Sequence, residues 1–280
     1  MGNSPETNKH QNPDYRPVEV LSRSFDSSLN LLRTQDFSLA ASSGKISGLA
    51  TIHKFGKNTT VGATHADVWS AGGLYTGWLT AAVAMRVKAG GNAADDNDGG
   101  AGARTITVEG LDANWNAQTD TLTLAGASAS AATTNTYIRI YRAKVALVGT
   151  YTGSNTGDVD IETTGGVLMA RIGADIGQTE MTMYSVPSGK TAYITQVHGH
   201  VDSKEAADIH MHIRENANDV TSPFTGSNTV MSFTQVKESL HLPLTAYPKV
   251  PEMSDLWFAS TGGASGTSVA VHYGILLQDN

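Results

Sequence analysis

Apolar residues in this chain recur in short runs of period two bounded by turn residues. The clearest run is Thr105-Ile106-Thr107-Val108-Glu109-Gly110-Leu111, followed beyond Asp112 to Asp120 by Thr121-Leu122-Thr123-Leu124. Successive side chains of a strand point to opposite faces, so Ile106 and Val108 share a face that Leu122 and Leu124 meet across an antiparallel pair. The pattern predicts a β-hairpin with a long loop. Tyr137 to Arg142 and Asp158 to Glu162 continue it. A second series runs through Glu180 to Val186, Lys190 to Ile194, Gln196 to Val201, Asp208 to Arg214, Ser239 to Leu244, Asp255 to Ser260 and Thr267 to Leu277. Short strands at this spacing predict an all-β fold.

Abundant Ala, Gly, Thr and Ser, with no long runs of Leu, Glu or Lys, also disfavour helix. A length of 280 residues exceeds the usual size of one domain. The expected architecture is therefore two tandem antiparallel β-sandwich domains, jelly-roll-like, at residues 45–172 and 173–280, behind an extended N-terminal arm at residues 1–44. The apolar residues of the arm, among them Val18, Leu21, Phe25, Leu29, Leu32 and Phe37, keep neither period 2 nor period 3.6. Such a segment orders on a neighbouring subunit or stays a flexible tail with one short helix near Ser28 to Leu32.

A formal charge of −7, with 19 Lys and Arg scattered among 26 acidic residues, leaves no basic stripe for phosphates and argues against nucleic-acid binding. The absence of cysteine excludes disulfides, thiolate metal sites and thiol nucleophiles. The first residues lack the basic and apolar regions of a signal peptide, and no apolar run approaches the roughly 20 residues that span a bilayer. The expectation is synthesis in the cytoplasm, with no membrane partner.

Ser188-Gly189-Lys190-Thr191 has the end of a phosphate loop, but Tyr184 stands where that motif needs its first glycine, and the following segment reads as strand. A turn is expected. The loop from Gly91 to Gly100 carries Asp95, Asp96 and Asp98 but reaches Thr107 where an EF-hand needs its last glutamate, which favours a solvated loop. Trp69, Trp78, Trp115 and Trp257 can form a sugar platform or serve as core and interface anchors. No catalytic residues are nominated and no cofactor is expected.

The sharpest constellation is His198-Gly199-His200-Val201-Asp202 followed by Asp208-Ile209-His210-Met211-His212-Ile213. Alternation puts all four histidines on one face and Val197, Val201, Ile209, Met211 and Ile213 on the other. A hairpin pairing Asp202 with Asp208 would set His200 opposite His210 and His198 opposite His212, close enough for His198, His200, His210 and His212 to share a zinc, nickel or iron ion. A plain solvated face or a subunit contact is the competing expectation.

The blocks Ala50-Thr51-Ile52-His53-Lys54-Phe55-Gly56 with Asp67-Val68-Trp69-Ser70-Ala71-Gly72-Gly73-Leu74-Tyr75, Val108-Glu109-Gly110-Leu111-Asp112, Tyr137-Ile138-Arg139-Ile140-Tyr141-Arg142, Tyr184-Ser185-Val186-Pro187-Ser188-Gly189-Lys190-Thr191-Ala192-Tyr193 and Val250-Pro251-Glu252-Met253-Ser254-Asp255-Leu256 resemble a family of virion structural proteins of tailed phages. The resemblance covers roughly residues 46 to 280 and leaves out the arm. It implies a particle component without catalysis, with other virion proteins of capsid, neck or tail as partners, as a homo-oligomer located in the virion. Decoration or stabilisation of the capsid is the first role to consider. A neck, collar, tail-fibre or spike subunit, or a glycan-binding module contacting the host surface, stands beside it.

Overall fold

The computed structural model describes residues 25–26, 31–32, 37–90, 92–202 and 205–280. Most of the expected arm lies outside them. Within it, β1 (Phe25–Asp26) pairs antiparallel with β2 (Leu31–Leu32), and a short helix, α1 (Phe37–Ser42), follows. The helix expected near Ser28 to Leu32 is thus corrected, because Leu31 and Leu32 are in a strand. Helix forms instead where Leu39, Ala40 and Ala41, strong helix formers, stand together. Gly44, at φ 70°, closes it with its N–H on the Ala41 carbonyl.

Residues 48–280 cluster as one unit. Its first strands are β3 (Leu49–Val61), β4 (Ala66–Asp67), β5 (Val83–Lys88), β6 (Ala103–Leu111), β7 (Ala117–Thr123) and β8 (Thr136–Tyr137). Next come β9 (Arg139–Val148), β10 (Val159–Thr163), β11 (Leu168–Ile172), β12 (Tyr184–Ser185), β13 (Lys190–Val201) and β14 (Ala207–Arg214). The last are β15 (Asn228–Val236), β16 (Ser239–Pro243), β17 (Lys249–Val250), β18 (Asp255–Gly262) and β19 (Thr267–Asp279). The fold is all-β, and the paired strands run antiparallel.

One sandwich sets the sheet β11-β10-β5-β8 against β7-β6-β9 around a core that includes Met85, Val87, Ile106, Val108, Leu122, Val159 and Ile161. The predicted hairpin is present, with Ile106 opposite Leu122. Its loop is shorter than expected. The Asp112 carboxylate accepts the N–H groups of Asn114 and Asn116, each at 2.8 Å, and Trp115 takes φ 64°, so the chain reverses in a tight Asx-type turn.

A second sandwich sets β12-β18-β14-β15, with β4 beside β18, against β16-β13-β19-β3, with β17 beside β13. The strands β3 and β4 come early in the chain yet belong to this sandwich, so the division expected at residue 173 does not follow the sheets. The reason is that β3 zips along β19 from Val61↔Thr267 to Leu49↔Gln278, a pairing that alternation within either strand cannot reveal. It demands close approach as well. A Cβ on Gly56 of β3 would lie 2.6 Å from both the Val68 carbonyl oxygen and the Thr182 nitrogen.

The two cores meet on β18. Leu256 and Phe258 pack in the second core, while Trp257 and Ala259, on the opposite face, pack in the first. Its apolar run Leu256-Trp257-Phe258-Ala259 is continuous because both faces are covered. At roughly 1.5–3 kcal/mol for each large apolar side chain fully buried, this strand binds the two sandwiches into one block.

Candidate functional site

Alternation placed the core faces of β13 and β14 as found: Val197, Val201, Ile209, Met211 and Ile213 all lie in the second core. The expected hairpin between them is corrected. β13 pairs with β16 and β19, whereas β14 pairs with β15 and β18, and Asp208 stands opposite Thr261. The two strands face each other across the sandwich, and a Cβ on Gly199 of β13 would come 3.1 Å from Ile209 Cδ1 of β14. Two strands packed face to face have the same apolar phase as two strands side by side, which is why the pattern could not separate the cases. His198 and His200 therefore point out of one side of the sandwich, His210 and His212 out of the other. The four do not converge.

Each pair instead meets histidines from distant parts of the chain. On the outer face of the sheet containing β13, one register row runs Phe55, His272, His198, His241 across β3, β19, β13 and β16. The His198 and His241 rings stack at 4.0 Å, and Phe55 stacks on His272 at 5.5 Å. Partial burial, then the proximity of His241 and His272, lowers the His198 pKa. In stacked rings the nitrogen lone pairs run parallel in the ring planes and do not aim at one ion.

On the other outer face, His212 stacks on Trp257 at 5.3 Å and meets the edge of His65 at 5.5 Å. Its Nδ1 lies 3.2 Å from Thr229 Oγ1, while Nε2 is buried without a partner. Burial, then the neighbouring His65 and His210, pushes its pKa down to about 4. A histidine with a folded pKa below its unfolded value stays neutral in the native state while the unfolded chain takes up a proton, so stability is lost as pH falls from about 6.5 toward 4. His212 is only half-buried, and solvent screening reduces the effect to about 1 kcal/mol. The variant His212→Gln should flatten that part of the stability profile relative to the parent chain. Parallel acid profiles of the two proteins would show that His212 does not titrate this way.

The Ser188-Gly189-Lys190-Thr191 segment is the expected turn. Gly189 has φ 72°, its N–H donates to Glu252 Oε2 at 2.5 Å, and Lys190 opens β13 while ion-pairing with Asp279. In the acidic loop, Asp95 is turned inward and fully buried, its carboxylate accepting the N–H groups of Ala103, Thr156 and Gly157 at 2.8 Å. It pins the loop rather than presenting oxygens to solvent.

Sequence reasoning did not find the group that joins the two sandwiches. Arg139, at the start of β9, makes a two-point bond to Asp255 of β18, with Nε on Oδ1 and Nη2 on Oδ2, each at 2.9 Å. Its Nη1 donates to the Leu79 and Ile138 carbonyls at 2.7 and 2.9 Å, and Ser185 Oγ donates to Asp255 at 2.6 Å. The guanidinium carbon sits 5.5 Å from the Trp78 ring centre and 5.0 Å from that of Trp115. Asp255, heading an apolar run buried on both faces, was the only available signal in the sequence. Beside the pair opens a cleft of about 220 Å³ lined by Trp78, Thr80, Arg214, Asp219, Phe224 and Thr225, with Arg139 in its wall. Trp69, Trp115 and Trp257 are buried, so of the four tryptophans Trp78 is the one bordering this space.

No helix among the described residues is long and apolar enough to cross a membrane. No family model matches the chain, and no curated protein matches it. Among solved structures it aligns with a chain of infectious bursal virus-derived T=1 particles at TM-score 0.24 and 10% identity, covering 83% of this chain and 70% of that one. It also aligns with the infectious bursal disease virus Gt strain at TM-score 0.17 and 7% identity, covering 82% and 75% of the respective chains. The Gx strain gives TM-score 0.14 and 8% identity over 82% and 76%. Scores this low establish no common fold.

Proposed function

We propose that this chain is a non-enzymatic structural component of a tailed-phage virion that decorates or stabilises the capsid through subunit contacts. The observation that carries the subunit-contact part is the open margin of the second sandwich. Among the described residues, β15 is paired on one side only, by β14, and β16 on one side only, by β13. Val230 of β15 is 43% exposed, and Tyr247, in the link from β16 to β17, is 52% exposed. Unpaired edges bearing apolar side chains invite aggregation unless a partner covers them, and in a particle the neighbouring subunit does so. The virion assignment itself is supported by the sequence resemblance over roughly residues 46 to 280. The non-catalytic assignment is supported by the buried Arg139, Asp255 and Asp95, whose charged groups are bonded into the scaffold.

The same surfaces suit a neck, collar, tail-fibre or spike subunit, and copy number separates these roles. Quantitative mass spectrometry of purified particles should find on the order of a few hundred copies for decoration, against about a dozen for neck or tail. Absence of the chain from intact particles would sink the proposal. A glycan-contacting module is the second reading, favoured by the cleft at Trp78.

A further inference from the structure

We propose that the cleft between β14 and the Phe224 loop is a binding site for a carboxylate-bearing sugar, a hexuronate unit of an acidic polysaccharide. The inference deepens the glycan reading and is independent of where the chain sits in a particle.

The argument starts from charge. Arg214 ends β14 directly opposite Asp255 of β18, and residues opposed in an antiparallel pair project to the same face. The Asp255 carboxylate is already taken, by two nitrogens of Arg139 and by the Ser185 hydroxyl. Arg214 thus brings a second guanidinium to a place where the buried carboxylate is saturated. Its Nε is buried without a hydrogen-bond partner. Among the described residues no ion pair engages its guanidinium either. Arg214 lines the cleft without an ion-pair partner, so a carboxylate entering it would meet an uncompensated guanidinium charge, and a neutral hydroxyl answers that charge far less well.

The remaining lining selects a sugar over other carboxylates. Asp219, which accepts the Thr221 N–H on one oxygen at 3.0 Å, offers its second oxygen to a hydroxyl donor. Thr80 and Thr225 line the same space with hydroxyls that both donate and accept. Phe224, 62% exposed, supplies an apolar ring face of the kind that covers the C–H face of a pyranose, and the partly buried Trp78 borders the same space. A volume of about 220 Å³ holds one monosaccharide unit. A carboxylate for Arg214, hydroxyls for Asp219 and the threonines, and a ring face for Phe224 coincide in a hexuronate.

Isothermal titration calorimetry of the full chain with an oligogalacturonate, a neutral oligogalactose of the same length and a short polyglutamate peptide tests the assignment. The expected result is saturable binding of the oligogalacturonate alone. Arg214→Gln should weaken it by about tenfold or more, the scale of losing a charge-assisted pair, with an unchanged melting temperature. Phe224→Ala, an exposed position that no core depends on, should weaken it as well. Equal binding of the neutral sugar, undiminished binding by Arg214→Gln, or no binding of the oligogalacturonate at millimolar concentration would each overturn the proposal. Preferential binding of the peptide would reassign the cleft to a protein carboxylate and overturn it equally. None of these outcomes touches the copy number in particles, so the two readings fail separately.

Discussion

Asp255→Ala should lower the unfolding free energy by about 3–5 kcal/mol, the range for removing one partner of a buried, well-formed ion pair. The side chains of Arg139 and Asp255 are 3% and 0% exposed, so no water replaces the lost carboxylate. The guanidinium would remain held between Trp78 and Trp115 with its main acceptor gone, and Ser185 would lose its partner too. Because β9 belongs to the first sandwich and β18 to the second, the damage falls on the joint between them. A double variant, Arg139→Met with Asp255→Leu, should recover most of the loss, since apolar groups of similar volume often replace a buried pair at little cost. Urea unfolding of the three proteins measures both effects. A loss below about 1 kcal/mol for Asp255→Ala would show that the pair is relaxed by solvent and does not hold the sandwiches together.

Local pattern made much of the molecule legible and left its assembly hidden. The alternation in Val197 to Val201 and Ile209 to Ile213 gave the right core face at every position named, because burial on one side of a strand writes a period of two into the sequence. It could not say which sheet each strand joins. The histidine quartet failed for that reason: His198 and His210 share a phase but stand on opposite sides of a core. The row His272, His198, His241 was equally invisible, since it depends on the register of three strands that are distant in sequence. Arg139 and Asp255 are separated by 116 positions and share no motif, so nothing local couples them. Arg214 carries still less signal, because its interest lies in the partner it lacks. Lys54 did leave a trace, as a lysine in the inward phase of β3 between Ile52 and Gly56.

That lysine supplies the second large expected effect. Lys54 is 3% exposed, its Nζ donates to the Tyr141 carbonyl, and no carboxylate pairs with it among the described residues. Burial, reinforced by the nearby Arg142, pushes its pKa down from 10.5 to about 7. Below pH 7 both folded and unfolded chains carry the proton, and the folded state bears the full penalty of a buried ammonium. Between about pH 7 and 10.5 the unfolded chain holds a proton that the native state has released, so stability must rise with pH across that window. At about 1.4 kcal/mol per pH unit, the gain from pH 7 to 9.5 is on the order of 3 kcal/mol. The window has an upper limit, because burial raises the hydroxyl pKa values of Tyr75, Tyr184 and Tyr273, and groups of that kind lose stability once unfolded tyrosine ionises near pH 10. Lys54→Met keeps the length of the side chain and removes the charge. Against the loss of about 1 kcal/mol for the bond to Tyr141, it should melt several degrees higher than the parent at pH 6 and lose that advantage by pH 9.5. A stability difference that stays constant from pH 6 to 9.5 would mean that Lys54 keeps its proton, and that the strand opens enough to hydrate it.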